Sequence, residues 1–292
     1  MATPHSEPLP RQHNEKKSKS KSKEPKTEPV ERKAKTFNRL DHRFQLTDEH
    51  DDDHIFPEEY EMIKQLRDKF SALKDWSDKK IVCFLCARRH KMAEVVVLIS
   101  RHLKKKEELG IDAEHPLTSK DAWKVMQNGS VIYWPDCVDK HERIVQYYKI
   151  GKDDPKATSL EDKYRMMFWE CDYLCNNRKL KHLRNGLLVV VDMKDFKLSN
   201  LDFSNGKEIN DAMTGVFPRR IRKFVVINGG IMLRAAVKAA KLILSKKMMK
   251  RVEILEDLSS IVAPQNILAE YGGNLKITID DFYQNEILKT DN

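Results

Sequence analysis

Apolar residues recur at every third or fourth position through the early globular part of the chain, which predicts amphipathic helices. In residues 57–75 the apolar positions with this spacing are Tyr60, Ile63, Leu66, Phe70 and Leu73. Further helices are predicted over 79–89, over 91–109 and from Thr118 to the Asn128-Gly129 pair. We therefore expect a helical module over residues 56–128.

Beyond residue 129 the pattern changes to short apolar runs, which are typical of strands. The predicted strands are Val131–Trp134, Ile144–Ile150, Leu187–Asp192, Arg222–Ile227 and Val252–Leu255. Helices are predicted between the later strands, over 160–176, 207–214 and 231–244. Since helices alternate with strands, the pattern predicts an α/β fold with a mixed sheet and crossover helices. The apolar run at 187–191 is typical of a central strand that is buried on both faces.

The segment 217–244 joins a strand to a helix of unusual composition. The strand ends at Asn228-Gly229-Gly230, and the cations Arg234, Lys238 and Lys241 then recur at helical spacing. The apolar residues of this segment are Ile231, Leu233, Val237, Leu242 and Leu244. Such a helix can cover an apolar cavity and lie on an anionic bilayer. An ordinary sheet-packing helix with a solvated basic stripe has the same pattern, so both interpretations stay open here.

Charge and composition add an N-terminal tail to this picture. Lysine and arginine outnumber aspartate and glutamate by 54 to 45, for a formal net charge of +9 over 292 residues. Residues 16–35 are strongly basic and 48–54 strongly acidic, so we predict a disordered tail over 1–55. No secretory signal or membrane-spanning run is evident, and the five cysteines are scattered, which favours a cytoplasmic protein.

Candidate catalytic and metal-binding patterns are weak. Cys83, Cys86 and His90 can share one helix face, but a zinc site needs a fourth ligand, so we interpret them as packing residues and predict no metal. The acidic pair Asp153-Asp154 is interpreted as a solvated turn. Nucleotide-binding, kinase and hydrolase motifs are absent from the sequence, so we predict neither a cofactor nor an enzyme.

Basic clusters are denser than any catalytic pattern. One cluster, at 219–223, leads into the fourth predicted strand, and a second, at 246–251, leads into the fifth. The residues predicted to face an anionic membrane are Arg234, Lys238, Lys241, Lys246, Lys247 and Lys250. Each cation near an acidic leaflet contributes about 1 kcal/mol of binding free energy. If alternate members point to opposite sides, only half of them face the membrane. Charge alone also suggests a nucleic-acid binder, but the aromatic residues give no support for base stacking, so no nucleic-acid partner is predicted.

Five segments in order carry a resemblance to a known family. They are the turn at 86–90 (CARRH), the strand exit at 149–155 (KIGKDDP), the central strand at 187–200, the strand at 217–229 (FPRRIRKFVVING) and Tyr271-Gly272-Gly273. Over about residues 57–288 this arrangement resembles the CRAL-TRIO lipid-binding family, which includes tocopherol-transfer and retinaldehyde-binding proteins and the yeast phosphatidylinositol transfer protein. The sequence departs from the family at Asn228-Gly229-Gly230, where an Asn-x-Pro turn is usual, and at 242–244, where Pro-Phe-Leu is common.

The resemblance implies a CRAL-TRIO-like domain over 129–292, in which a mixed sheet flanked by helices encloses an apolar pocket and helix 231–244 forms a lid. Period-two alternation along the strands predicts that Val189, Val191, Phe224 and Val226 face the ligand, although a shift of one residue would select the opposite faces. The pocket residues expected from the lid segment are Ile231, Leu233 and Val237. The implied phosphate or headgroup contacts are Arg88, Arg89, Lys197 and Ser199. We expect a monomer that holds a phospholipid or isoprenoid-type lipid and carries or presents it at anionic membranes, to which it attaches peripherally. The alternative is an interaction or membrane-sensing module with a vestigial pocket.

Overall fold

The structure, a computed structural model, describes residues 44–288. The part of the predicted disordered tail at 1–43 lies outside this range. The part at 44–55 was predicted wrongly, because Phe44 is fully buried and its ring stacks on His90 with 3.8 Å between ring centroids. Ordered structure therefore begins before residue 56.

The acidic segment 48–54 is held by lysines of neighbouring helices. Asp53 Oδ1 lies 3.0 Å from Lys79 Nζ, and Asp52 Oδ2 lies 3.0 Å from Lys179 Nζ. The backbone nitrogen of Leu180 also donates to Asp53 Oδ1. Neutralisation by these partners explains why a run of like charges is ordered here.

In the described part of the chain, four helices precede the sheet. They are α1 (Pro57–Lys69), α2 (Asp78–Ala87), α3 (Met92–Glu108) and α4 (Ser119–Met126). The helix predicted over 57–75 ends earlier, because Phe70 adopts an extended conformation and a 3-10 turn at Ser71–Leu73 follows. The Ser77 hydroxyl accepts a hydrogen bond from the backbone of Lys80 and caps α2.

The sheet contains β1 (Val131–Val138), β2 (Ile144–Lys149), β3 (Leu187–Asp192), β4 (Ile221–Ile227) and β5 (Val252–Ile254). The strands lie in chain order, with β1 antiparallel to β2 and all later pairs parallel. The predicted mixed α/β sheet is thus confirmed.

Helices connect the parallel strands. They are α5 (Leu160–Asn177), α6 (Leu180–Asn185), α7 (Gly206–Gly215), α8 (Leu233–Ile243) and α9 (Lys246–Met249), and α10 (Ile279–Phe282) follows the sheet. The sequence pattern missed α6, α9 and α10 because helices of one or two turns are too short to show a hydrophobic period. Among residues 44–288, no helix is both long and apolar enough to cross a bilayer.

Helix α5 belongs to two cores at once. Met167, Phe168 and Cys171 pack with the N-terminal helices, whereas Trp169 and Tyr173 pack with the sheet. The N-terminal helices and the sheet are therefore joined through one shared helix.

Candidate functional site

An apolar cavity of about 350 Å³ lies between one face of the sheet and helix α8. On the strands it is lined by Val189, Val191, Phe224, Val226 and Val252. Side chains alternate between the faces of a strand, so residues two apart on β3 line the same wall. Val190, between them, is fully buried on the opposite face.

Helix α8 forms the opposite wall of the cavity. Its residues along the cavity are Leu233, Ala236, Val237, Ala240 and Ile243. The cations Arg234, Lys238 and Lys241 are exposed on the outer side of the same helix. Helix α8 thus separates an apolar interior from a basic surface, as an amphipathic helix does.

The entrance to α8 is a turn with two residues in the left-handed region. Asn228 has φ 54° and Gly230 has φ 45°. Asn228 Nδ2 donates to Asp192 Oδ1 at 2.8 Å, and the Tyr271 hydroxyl donates to Asp192 Oδ2 at 2.8 Å. A Cβ at Gly229 would lie 2.9 Å from a methyl carbon of Leu233, so the helix packs closely on its own turn.

The structure places Ile231 outside the cavity. It lies in the turn before α8, is 99% exposed, and is accompanied by the exposed residues Met232 and Leu242. Helical periodicity does not apply to Ile231 because the helix begins only at Leu233. The apolar residues Ile231 and Leu242 instead border the basic outer surface of α8.

One end of the cavity is polar. The Tyr148 hydroxyl donates to Asp153 Oδ2 at 2.6 Å, and Lys163 Nζ lies 2.6 Å from Asp202 Oδ2. Burial raises the pKa of the Asp153 carboxyl. Asn210, which also lines the cavity, is buried with its Oδ1 atom lacking a hydrogen-bond partner among residues 44–288.

Sequence reasoning missed this polar end. It interpreted Asp153 as part of a solvated turn, whereas the structure makes it half-buried in the cavity wall. Lys163 of α5 and Asp202 of a later loop are 39 residues apart and meet only in the folded chain, so no spacing pattern could have grouped them.

A second pocket, of about 520 Å³, lies beside the turn that follows α2. Its cationic lining residues are Arg88, Arg89, Lys91, Arg219, Arg220, Arg222, Lys247 and Arg251. We refer to it as the basic pocket. Glu94 is the single acidic residue among its lining residues.

The cations of the basic pocket are crowded and only partly neutralised. Burial, and then repulsion from Arg220 and Arg251, lowers the pKa of Arg222 to about 9. Arg220 Nη1 is buried without a hydrogen-bond partner within the described part of the chain. Arginine side chains in this state favour an anion with several acceptor oxygens, such as a phosphate.

Arg219 and Ile221 line both the basic pocket and the apolar cavity. Arg219 Nη1 lies 2.8 Å from Glu170 Oε2, and its Nη2 donates to Gln146 Oε1 at 3.0 Å. The two spaces are therefore neighbours that share a wall.

The predicted headgroup residues fall in two places. Arg88 and Arg89 line the basic pocket, whereas Lys197 and Ser199 are exposed on a separate 3-10 turn and line neither space. Of the cations after α8, Lys247 lines the basic pocket, while Lys246 and Lys250 are exposed outside it.

Comparisons with known proteins agree with this architecture. The chain is 25% identical over 224 residues to a CRAL-TRIO domain-containing protein of Dictyostelium discoideum, covering 73% of this chain and 86% of that protein. It is 28% identical over 102 residues to tyrosine-protein phosphatase non-receptor type 9 of human and of mouse, covering 33% of this chain but only 16% of each phosphatase.

The crystal structure of Sfh5 has the same fold. It superposes with a TM-score of 0.51 at 13% identity, covering 82% of this chain and 99% of Sfh5. A sequence profile described as the CRAL/TRIO domain matches residues 127–273, half of the chain, and this range contains the sheet, the cavity and helix α8. The chain therefore belongs to the CRAL-TRIO family, whose members are generally lipid-binding and lipid-transfer proteins.

Proposed function

We propose that the protein holds one hydrophobic ligand in the cavity beneath α8 and carries or presents it at anionic membranes. The observation that supports this most strongly is the cavity itself, whose strand and helix walls consist almost entirely of aliphatic and aromatic side chains. Burial of an acyl or isoprenoid chain there gains about 0.8 kcal/mol per methylene group relative to water. A membrane offers the same gain, so exchange between the two is close to balanced.

The cavity volume favours a modest ligand. At about 350 Å³ it lies at the lower end of the range of ligand pockets, about 300–1,000 Å³. An isoprenoid-type or single-chain lipid suits this volume better than a two-chain phospholipid. Tyr148, Asp153 and Asn210, which line the cavity, provide hydrogen-bonding groups for a hydroxyl or similar group on the ligand.

The outer side of α8 supports membrane contact. Ile231 and Leu242 are exposed apolar residues, and the cations Arg234, Lys238 and Lys241 of the same segment are also exposed. Apolar residues that insert among headgroups and cations that attract acidic lipids are the two requirements for peripheral binding. Acidic lipids are concentrated on the cytoplasmic leaflet, so we expect the protein to act there. We expect it to do so as a monomer.

The basic pocket supplies a place for a phosphate-bearing headgroup. Arg88 and Arg89, Arg220 and Arg222, and Lys247 converge on it from three separate segments. Under this proposal the headgroup belongs to a membrane lipid, while the adjacent apolar cavity holds the hydrophobic ligand that is carried. The protein acts as a carrier without catalysis.

A membrane-sensing module with a vestigial pocket is the second candidate. The exposed basic and apolar surface of α8 suits that role equally well. The open volume beneath α8 argues for the carrier, since a vestigial pocket would be filled by the chain's own side chains.

A vesicle exchange assay tests the proposal. The delipidated full-length protein is mixed with vesicles that contain a fluorescent isoprenoid alcohol or a fluorescent diacyl phospholipid, and lipid bound to re-isolated protein is measured. We expect saturable uptake of one lipid per chain, with the isoprenoid preferred. Vesicle binding without uptake of either lipid would support the sensing module instead.

A further inference from the structure

A cluster of four buried side chains lies at the floor of the basic pocket, and none of its members lines the apolar cavity. Its centre is Glu59 of α1, which is fully buried. Glu59 Oε1 lies 2.7 Å from His90 Nε2 and accepts a hydrogen bond of 2.8 Å from Arg184 Nη1. A second hydrogen bond, from Arg184 Nη2 to Glu59 Oε2, makes this ion pair bidentate.

Cys86 is the fourth member of the cluster. Arg184 Nη1 lies 3.6 Å from Cys86 Sγ, and the ligand atoms of Glu59, Cys86 and His90 all lie within 4.8 Å of one another. Cys86 also lines the basic pocket, where Arg220 has its unpartnered Nη1 atom. The thiol thus lies between a buried charge network and a space that small reagents can enter.

The histidine lies close to this thiol, with the ligand atoms of the two side chains within 4.8 Å of each other. Nε2 is engaged by Glu59, so Nδ1 is the nitrogen left to take up a proton, and it is buried without a hydrogen-bond partner among residues 44–288. Arg89 and His90 have φ values of 52° and 59°, and the ring stacks on Phe44. Two successive left-handed residues are costly and are retained where they fix a side chain.

The same residue types could bind a metal ion, but the geometry disfavours it. Arg184 Nη1 contacts both Glu59 and Cys86, so a guanidinium cation already occupies the space that a divalent cation would need. A cysteine paired with a histidine that a carboxylate orients is, in contrast, the arrangement of an activated thiol.

We infer that Cys86 is held as a thiolate by His90, Arg184 and Arg220, and that it is a modification site for hydroperoxides and small alkylating agents at the floor of the basic pocket. With a hydroperoxide, the sulfur attacks one peroxide oxygen, the S–O bond forms and the O–O bond breaks. Two electrons pass from sulfur to the peroxide, whose other oxygen leaves as hydroxide or alkoxide and takes the proton from the His90 imidazolium. The product is a sulfenic acid at Cys86.

Electrostatics agree with this geometry. Burial alone would raise the pKa of the Cys86 thiol, but the nearby His90 imidazole and the charges of Arg184 and Arg220 outweigh it and lower the pKa. The charged groups facing the thiol are therefore Glu59 from α1, His90 from the turn after α2, Arg184 from α6 and Arg220 from the segment before β4.

Cys83 provides an internal control. It lies one turn earlier on α2 and is 6% exposed, compared with 2% for Cys86, so accessibility alone would favour Cys83. The native full-length protein is treated with iodoacetamide at several pH values, and labelling of each cysteine is followed by peptide mass spectrometry. We expect Cys86 to react about tenfold faster than Cys83 at neutral pH, because an ordinary thiol is only a few per cent thiolate there. Equal rates at the two cysteines would overturn the inference.

Two variants distinguish an effect of neighbouring charge on Cys86 reactivity from an effect of unfolding. Arg220→Gln removes a cation whose Nη1 atom makes no hydrogen bond to the described residues, so it should leave the fold intact and slow Cys86 labelling several-fold. His90→Gln should shift the pH midpoint of labelling upward. If it unfolds the protein, the wild-type ratio of Cys86 to Cys83 labelling and the effect of Arg220→Gln still decide the matter.

A peroxide experiment tests the proposed chemistry directly. After brief treatment with hydrogen peroxide, dimedone should label Cys86 and not Cys83. Labelling of neither cysteine, or stoichiometric zinc binding that protects Cys86, would overturn the inference and would, in the second case, identify a metal site instead. None of these measurements depends on the lipid that the cavity holds.

Discussion

Val191 of β3 and Val226 of β4 are paired neighbours in the parallel sheet, and both line the cavity beneath α8. Opposite them, Val237 lines the cavity from the helix. This strand-to-helix spacing is what leaves room for a ligand, because the side chains on both walls are of medium size. Lipid binding by the protein requires that this space is open to a ligand.

Filling the space should block uptake without unfolding the protein. Val191→Trp adds a large ring to a half-buried wall position, and we expect lipid uptake from vesicles to fall at least about tenfold while the melting temperature changes little. Val97→Trp, at an exposed position of α3, is the matched control and should leave uptake unchanged. Normal uptake by Val191→Trp would move the ligand to another part of the molecule.

Membrane attachment should depend on the outer side of α8. Lys238→Glu combined with Lys241→Glu removes two exposed cations, each worth about 1 kcal/mol near an acidic leaflet, so affinity for acidic vesicles should fall at least thirtyfold, about 2 kcal/mol. The double variant Lys64→Glu and Lys120→Glu makes the same change in net charge at exposed positions on α1 and α4. Vesicle co-sedimentation of both proteins distinguishes a local effect of α8 from a general effect of charge. Equal losses would show that α8 is not the contact surface.

The basic pocket should bind a polyvalent anion in the absence of any lipid. Inorganic pyrophosphate relieves the repulsion among Arg220, Arg222 and Arg251, so it should raise the melting temperature by several degrees at saturating concentration. Lys247→Glu should abolish most of that increase because Lys247 lines the pocket. Its neighbour Lys246 is exposed outside the pocket, so Lys246→Glu should retain the increase. The pocket is not an anion site if both variants behave alike.

The ion pair of Glu59 and Arg184 should make stability depend on pH in the acid range. Burial would raise the pKa of the Glu59 carboxyl, but the hydrogen bonds from Arg184 and His90 outweigh it and hold the pKa at about 2. A carboxyl with a depressed pKa stabilises the fold above its unfolded value of about 4.5, and that stabilisation is lost as the pH falls toward 2. Glu59→Gln should therefore lower the free energy of unfolding by about 3–5 kcal/mol at neutral pH.

Urea unfolding at a series of pH values checks this prediction. The difference between wild type and Glu59→Gln should shrink between about pH 4.5 and pH 2. Glu58→Gln, at the exposed neighbouring position of α1, should change stability little at any pH. A constant difference between wild type and Glu59→Gln across the acid range would show that the charge of Glu59 does not stabilise the fold.

Much of the fold could be predicted because its elements are long or strongly patterned. The strand Leu187–Asp192 was predicted with the bounds that the structure has. An unbroken aliphatic run is typical of a parallel strand that is buried on both faces of the sheet. Alternation along β3 and β4 also predicted one face for Val189, Val191, Phe224 and Val226, and all four line the cavity. Their contact with a ligand remains a prediction.

The basic pocket, the exposure of Ile231 and the order at Phe44 could not be predicted, because they depend on contacts in the folded chain that sequence spacing does not show. Arg88, Arg222 and Lys247 lie far apart in the chain, and only the fold brings them to one pocket, so Lys247 was predicted on the membrane-facing surface alone. Ile231 was assigned to the cavity by extending the helix pattern into a turn. Phe44, in a segment of disordered composition, is ordered because one aromatic ring stacks on His90.

Native mass spectrometry of the protein purified from cells, with identification of any released molecule, tests the central claim most directly. We predict a species heavier than the polypeptide by the mass of one hydrophobic molecule, which Val191→Trp lacks. A wild-type protein that has the mass of the polypeptide alone, and that gains none after incubation with lipid vesicles, would contradict the account.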